Sequence, residues 1–505
     1  MYSDLAAGKH LVLDHHSVAD TYRLRRRVHR PLKEPAAPVL EPERPWEGQR
    51  VTPVRVIHDD ETGSFRMWYT THDRRVARQR REAGKGLGAN IGPPVPSVLC
   101  YAESEDGEEW RRPHLGIYEH EGGDTNICFK GVSRTSVSTI RIWPENPPER
   151  RYMLVSLDWF DMGNGGVCLG WSADGIHWSH DERNPVFFGH SDTRNSLLYN
   201  PERGVYMLYM RAWHAAAVGW ITDWVGGPGR PRDVDREAAR AAKERADLIE
   251  KQAGKRPEHK NTRRRVAYAE SPDLYEWSES QIIMTPDSAD PDDFYGLMPF
   301  RYADYYLGQL WIYDDNREGT LDVELAYSRD GFDWHRFPGR PKFIPTGEPG
   351  EADGYLILPA QGPTETAEGL SFYWTGEDCP HDSSGERRGV MFRGRLRRDG
   401  FVSLSADRRQ AALVTRPFTL QSDRILLNAA THGGEIVAEL VEPDPHEPRG
   451  KEIEGYGAAH FDVFTGDETA HALSWRGKSD LSALRGRRLM LRMSLYHAEV
   501  YSFSL

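Results

Sequence analysis

SADGIHW, residues 172–178, is a serine, an Asp-Gly turn and, three residues past the glycine, a tryptophan. One such heptapeptide is an ordinary surface turn; its recurrence is what carries information. Residues 104–110 (SEDGEEW) and 328–334 (SRDGFDW) have the same form, and 271–277 (SPDLYEW) differs by carrying Leu274 where the others carry glycine. The motif tryptophans Trp110, Trp178, Trp277 and Trp334 are spaced by 68, 99 and 57 residues. The long gap holds a highly charged stretch, 222–264, whose centre DVDREAARAAKERADLIEKQA is rich in helix formers. With that insertion set aside the period is about 55 to 70 residues, the mark of a propeller or solenoid.

A second element precedes each motif, an aromatic strand just after a turn: GSFRMWYTTH (63–72), ERRYMLVSLDW (149–159), RGVYMLYMRAWH (203–214), ADYYLGQLWIYDD (303–315) and EGLSFYWTGED (368–378). Each follows a shorter apolar strand and leads to the turn and an outer strand, so every unit has four strands, as a propeller blade does. The fifth unit lacks the turn signature and ends in GVMFRGRLRRDGFVSLSA; residues Lys9 to Leu13 are expected to supply its missing strand. The motif itself reads as structural, with the Asp-Gly turn permitting positive φ and the tryptophan packing between blades. From about 407 the blade rhythm stops and short alternating strands follow. The expected fold is therefore all-β, a five-bladed β-propeller over 1–406 followed by a β-sandwich over 407–505.

The composition suits this reading, with 15 Trp, 22 Tyr, 47 Gly and 33 Pro. A formal net charge of −12 argues against a nucleic-acid partner. The four cysteines, Cys100, Cys128, Cys168 and Cys379, form no C-x-x-C pair and read as reduced. His10 and the run Asp14-His15-His16 match no standard ligand spacing, so neither a metal nor another cofactor is expected. The chain start lacks the pattern of a secretory signal, and no run reaches membrane-spanning length, which points to a cytoplasmic protein without a membrane partner.

The five units, the Ser-x-Asp-Gly-x-x-Trp turns and the trailing sandwich together resemble the five-bladed propeller glycosidases around glycoside hydrolase families 32, 43, 68, 117 and 130. The resemblance is architectural: the Asn-Asp-Pro-Asn-Gly, Arg-Asp-Pro and Glu-Cys stretches of family 32 are absent. It implies an active-site funnel at the propeller axis, where the first residues of the innermost strands deliver carboxylates. Cleaving an acetal needs a proton for the leaving oxygen and negative charge opposite an oxocarbenium-like centre.

Acids stand before each innermost strand in turn: Glu47 in RPWEGQRVTPVRV, Asp124 in GGDTNICF, Asp192 in HSDTRNSLLY, Asp292 and Asp293 in PDDFYGLMPF, and Glu351 and Asp353 in GEADGYLILP. Asp192 and Asp293 are the foremost catalytic candidates, followed by Glu47 and Glu351. Any one of them can equally be a turn or cap residue, and Glu47 with Trp46 can be a packing corner. Substrate-binding candidates are Trp46, Asp124, Arg194, Trp213, His214, Tyr295, Asp353, Asp378 and His381. The ends of the second strands add His72, Asp158, Trp159, Asp314 and the loop Glu377-Asp378-Cys379-Pro380-His381. The insertions at 73–96 and 222–264 leave from second strands, where they wall the pocket, mediate homo-oligomer contacts or are solvated excursions. The expected activity is hydrolysis of a terminal glycosidic bond in a small saccharide or glycoside. Phosphorolysis or intramolecular transfer on the same scaffold, with Arg194 holding phosphate, is the rival, and a non-catalytic carbohydrate-binding propeller is the second.

Overall fold

Both faces of the aromatic strands are buried: in Tyr305–Asp314 nine consecutive residues are out of solvent. That pattern belongs to a sheet covered on its two sides, and it explains continuous apolar runs where a half-exposed strand would alternate. The computed structural model describes residues 4–59, 62–73, 97–131, 136–143, 146–161, 164–188, 194–213, 264–291, 293–314, 319–381, 383, 387–447 and 449–505. The two expected insertions fall almost wholly outside them.

Five antiparallel four-stranded blades follow one another. Blade one runs outward through Arg50–Asp59, Ser64–His72, Leu99–Ser104 and Ile127–Phe129. Blade two is Ser136–Ile142, Tyr152–Asp161, Asn164–Ser172 and Trp178–His180. Blade three is Ser196–Asn200, Val205–Trp213, Arg264–Ser271 and Gln281–Met284. Blade four is Asp293–Tyr302, Tyr305–Asp314, Thr320–Ser328 and Trp334–Arg336. Blade five is Leu356–Pro359, Gly369–Glu377, Gly389–Leu396 and Leu32–Lys33. The outer strand of blade five thus comes from Leu32–Lys33 and not from residues 9–13, as expected. Lys9–Leu11 instead pairs with Arg488–Ser504 in the second sheet.

The repeated turn is a closed hydrogen-bond circuit. In the copy at 172–178, Gly175 N donates to Ser172 Oγ (2.9 Å), and Asp174 Oδ1 accepts from the backbone of Ile176 and His177, both at 2.8 Å. Trp178 Nε1 closes the turn on Gly175 O at 3.0 Å. Each glycine copy also receives an aromatic side chain from the second strand of the preceding blade. Trp68 donates to Gly175 O (2.6 Å), Tyr209 to Gly331 O (2.7 Å) and Tyr373 to Gly107 O (3.0 Å). A Cβ at Gly175 would lie 2.6 Å from Trp68, and its φ of 80° is one that L side chains rarely adopt, so space and backbone both demand glycine there.

The second lobe is a β-sandwich built on the two 17-residue strands Leu426–Glu442 and Arg488–Ser504. Their ladder breaks register at Asn428/Ala429 and Thr431/Glu435. Leu427, Ile436, Leu440, Leu491, Leu495 and Phe503 are among its buried core. The boundary expected at 406/407 does not divide the lobes. Val402–Ala406 already pairs in this sheet, and Val18–Tyr22 and Arg25–Val28 join it from the other end of the chain. The four cysteines are free, three of them buried. Among the described residues no helix is long and apolar enough to cross a membrane.

Candidate active site at the propeller axis

In an antiparallel blade the start of the first strand, the end of the second and the start of the third share one edge. On that edge the structure gathers side chains from several blades. Asp293, the first residue of its strand, is 2% exposed and is ion-paired with Arg264, the first residue of the third strand of blade three, at 2.9 Å. Its other oxygen accepts the Arg264 backbone N–H. Two residues on, Tyr295 stacks on Trp311, with ring centroids 6.0 Å apart, and meets Tyr313 edge-on. The Tyr295 hydroxyl is hydrogen-bonded to His381 Nε2 at 2.8 Å, and the guanidinium of Arg211 lies 4.5 Å from the Tyr295 ring centre.

Arg194 reaches from blade three to blade five, where its Nη1 donates to Pro359 O at 2.8 Å. These blades are not neighbours in a ring of five, so the side chain lies across the central channel. Its guanidinium is 5.7 Å from the Trp311 ring centre. Burial, with repulsion from Arg50 behind it, pushes the Arg194 pKa down to about 9. Glu377, at the end of the second strand of blade five, has no solvent exposure; it is bound by Arg50 at 2.7 Å and Arg387 at 3.5 Å. Asp158, on the second strand of blade two, is 2% exposed.

Of the expected site residues, Asp293, Tyr295, His381 and Arg194 are brought together. Trp213 ends its strand opposite Arg264; its side chain, Asp192 and His214 lie outside the described residues. Glu47 is not part of the cluster. Its carboxylate accepts from the backbone of Glu43 and Arg44, from Tyr69 Oη (2.6 Å) and from Arg112 Nε (2.7 Å), all in blade one, so it is the packing corner that its proline-rich loop allows. Trp46 beside it donates to Asn126 at 2.9 Å. Glu351 and Asp353 face away from the axis: Asp353 is paired at 2.9 Å with Lys33 on the outermost strand of blade five, and Glu351 is 4.0 Å from the same amine. Asp124 precedes the outer strand of blade one, not the inner strand of blade two, and holds the turn at Gly116 and Thr125. Asp378 is exposed, with the Arg388 backbone at 3.3 Å.

The residues that were not singled out are the arginines. Arg50, Arg211, Arg264 and Arg387 stand at or beside strand ends, where arginine commonly reaches into water, and what sets them apart is that Arg211 and Arg387 are buried and Arg50 and Arg264 half-buried. The opposite mouth of the channel opens into a cavity of about 660 Å³ lined by Arg55, His58, Trp143 and Tyr199 among others. Its one lining acid among the described residues, Glu365, is exposed, so the edge carrying Asp293 and Glu377 is where buried carboxylates meet aromatic faces.

No family model matches the chain, and no curated protein matches it. Among solved structures it is similar to a glycoside hydrolase at 12% sequence identity, over 73% of this chain and 94% of that one, with a TM-score of 0.45. It is also similar to a structure described as showing that the GH130 family of mannoside phosphorylases contains glycoside hydrolases that target β-1,2 mannosidic linkages in Candida mannan (13% identity, 76% and 96% covered, TM-score 0.42). The Bombyx mori GH32 β-fructofuranosidase matches at 12% identity over 92% of this chain and 93% of that one, with a TM-score of 0.40. These are likenesses of fold at low identity.

Proposed function

We propose that the chain hydrolyses a terminal glycosidic bond in a small saccharide or glycoside, with Asp293 as the catalytic carboxylate and the Tyr295–His381 pair moving the proton. The observation that supports this reading is the link, through Arg264, of Asp293 to a cluster of rings at one end of the propeller axis: the Arg264 guanidinium is paired with Asp293 and lies 5.3 Å from the Tyr295 and 5.0 Å from the Tyr313 ring centre, and Tyr295 in turn meets Trp311 and His381. A sugar ring has an apolar face and a rim of hydroxyls, which aromatic planes and hydrogen-bonding tips match. The chemistry needs negative charge near the anomeric carbon and a group that moves a proton to the leaving oxygen. Asp293 supplies the first, and the hydrogen-bonded Tyr295–His381 pair stands beside it for the second.

The test is a screen of aryl glycosides, furanosides included, with and without phosphate. Asp293→Asn, which keeps an oxygen to accept from Arg264, is expected to lower turnover by about two to four orders of magnitude, with the variant shown to be folded by circular dichroism. Near-full activity in that variant would remove Asp293 from catalysis.

A further inference from the structure

Two guanidinium groups hold one carboxylate at the axis, and a third reaches across the channel. Glu377 joins Arg50 to Arg387, and Arg194 donates to Pro359 O of the same blade at 2.8 Å. Several of their buried N–H groups have no acceptor: Nη2 of Arg194, Nε of Arg50, and both Nε and Nη2 of Arg387, a residue only 6% exposed. Such orphans are rare in folded proteins, because a buried donor without a partner forfeits its hydration for nothing in return. Arginine does not escape by losing its proton at neutral pH, even where burial weakens its hold. What relieves an unfilled guanidinium is an oxyanion, whose two or three oxygens match the planar fork of N–H donors and whose charge offsets the excess. A neutral hydroxyl can also accept, but it leaves the charge where it was.

We propose that this site takes its substrate through an oxyanion, the carboxylate of an acidic sugar or a phosphate group, received by Arg194, Arg50 and Arg387. The proposal deepens the glycosidase reading and rests on the same site. It adds that the ligand is anionic although the chain itself carries a net charge of −12.

The experiment is isothermal titration calorimetry on the full chain with galacturonate, glucuronate, their neutral parents galactose and glucose, and inorganic phosphate. At least one anionic probe is expected to bind about tenfold or more tightly than every neutral sugar, and more weakly as salt is raised. Arg194→Gln and, separately, Arg387→Gln are expected to weaken that probe by about 10- to 100-fold, the scale of hydrogen bonds to charged groups. Binding of a uronate without phosphate assigns the oxyanion to the sugar; binding of phosphate alone assigns it to a second substrate. Equal affinity for neutral and anionic probes overturns the proposal, and that comparison needs only the wild-type chain. Hydrolysis of neutral aryl glycosides with no preference for aryl uronides and no effect of phosphate also overturns it, while leaving the glycosidase reading intact. Anion binding without hydrolysis of any glycoside does the reverse.

Discussion

Asp174 shows how much one side chain does in the repeated turn. Burial alone would raise its pKa, but the N–H groups of His177 and Ile176, the His177 ring and the Ser172 hydroxyl lower it from 3.8 to about 2. A carboxylate depressed on folding adds stability that is complete above its unfolded pKa and is lost as pH falls through the folded one. The contribution of Asp174 is therefore full above about pH 4 and is lost as pH falls through about 2. Urea unfolding of wild type and Asp174→Asn at pH 6, 4, 3 and 2 should show a stability gap that closes across the lower half of that range. A gap unchanged down to pH 2 would sink the assignment. At this scale the sequence discriminates poorly between acids. Glu47 and Asp293 both stand at the approach to an innermost strand, and what separates them is partners far along the chain: Arg112 and Tyr69 saturate Glu47, while Asp293 meets Arg264, itself packed on the Tyr295 and Tyr313 rings. Apart from Arg194, the arginines were illegible for the same reason, since nothing local distinguishes a buried strand-end guanidinium from a solvated one.

The turn-bearing strands were legible as elements because their determinants lie within seven residues, and the one exception among them has a spatial cause. Leu274 takes a φ of 76°, which glycine serves elsewhere in the repeat. Ladder register makes Val155 in blade two the counterpart of Trp68 in blade one and Tyr209 in blade three, each lying three residues past the partner of a motif serine. Where the preceding blade presents a large ring the turn has room only for glycine; where it presents Val155, Leu274 fills the space and shares its buried cluster. Left-handed backbone costs a branched residue about 1–2 kcal/mol, whereas emptying a buried leucine site costs about 2–5 kcal/mol. Leu274→Gly should thus destabilise by about 1–3 kcal/mol in urea melts, although it relieves the backbone. Adding Val155→Tyr should recover part of the loss by restoring the arrangement of the other blades; a single variant as stable as wild type would refute the space-filling account. The outer strand of blade five escaped sequence reading because pairing between Leu32–Lys33 and Gly389–Leu396 joins opposite ends of the chain, and two residues carry no periodicity.

The same long-range closure governs the whole molecule. The chain begins in the sandwich, crosses to close blade five, completes the propeller and returns, so each lobe depends on strands from both ends. Asp399 sits where the paths meet. It is 3% exposed and accepts from Lys9 Nζ (2.9 Å), Tyr302 Oη at the end of the first strand of blade four (2.7 Å) and Ser502 Oγ in the last strand (2.6 Å). Leu11, Leu13, Phe401 and Val402 carry the apolar core of blades four and five toward the sandwich around it. Removing the carboxylate leaves these donors without their common acceptor, at a cost of about 3 kcal/mol. Asp399→Ala should lower the melting temperature while both lobes still unfold in one calorimetric transition. By the same logic a chain ending at 406 loses the partner strands of 9–11 and 18–22 as well as the sandwich core, and it should be insoluble because those edges and apolar faces are laid open. Two separate transitions in the Asp399 variant, with the upper one unshifted, or a soluble and folded 1–406 fragment, would show that the lobes are held together by a linker rather than by shared strands.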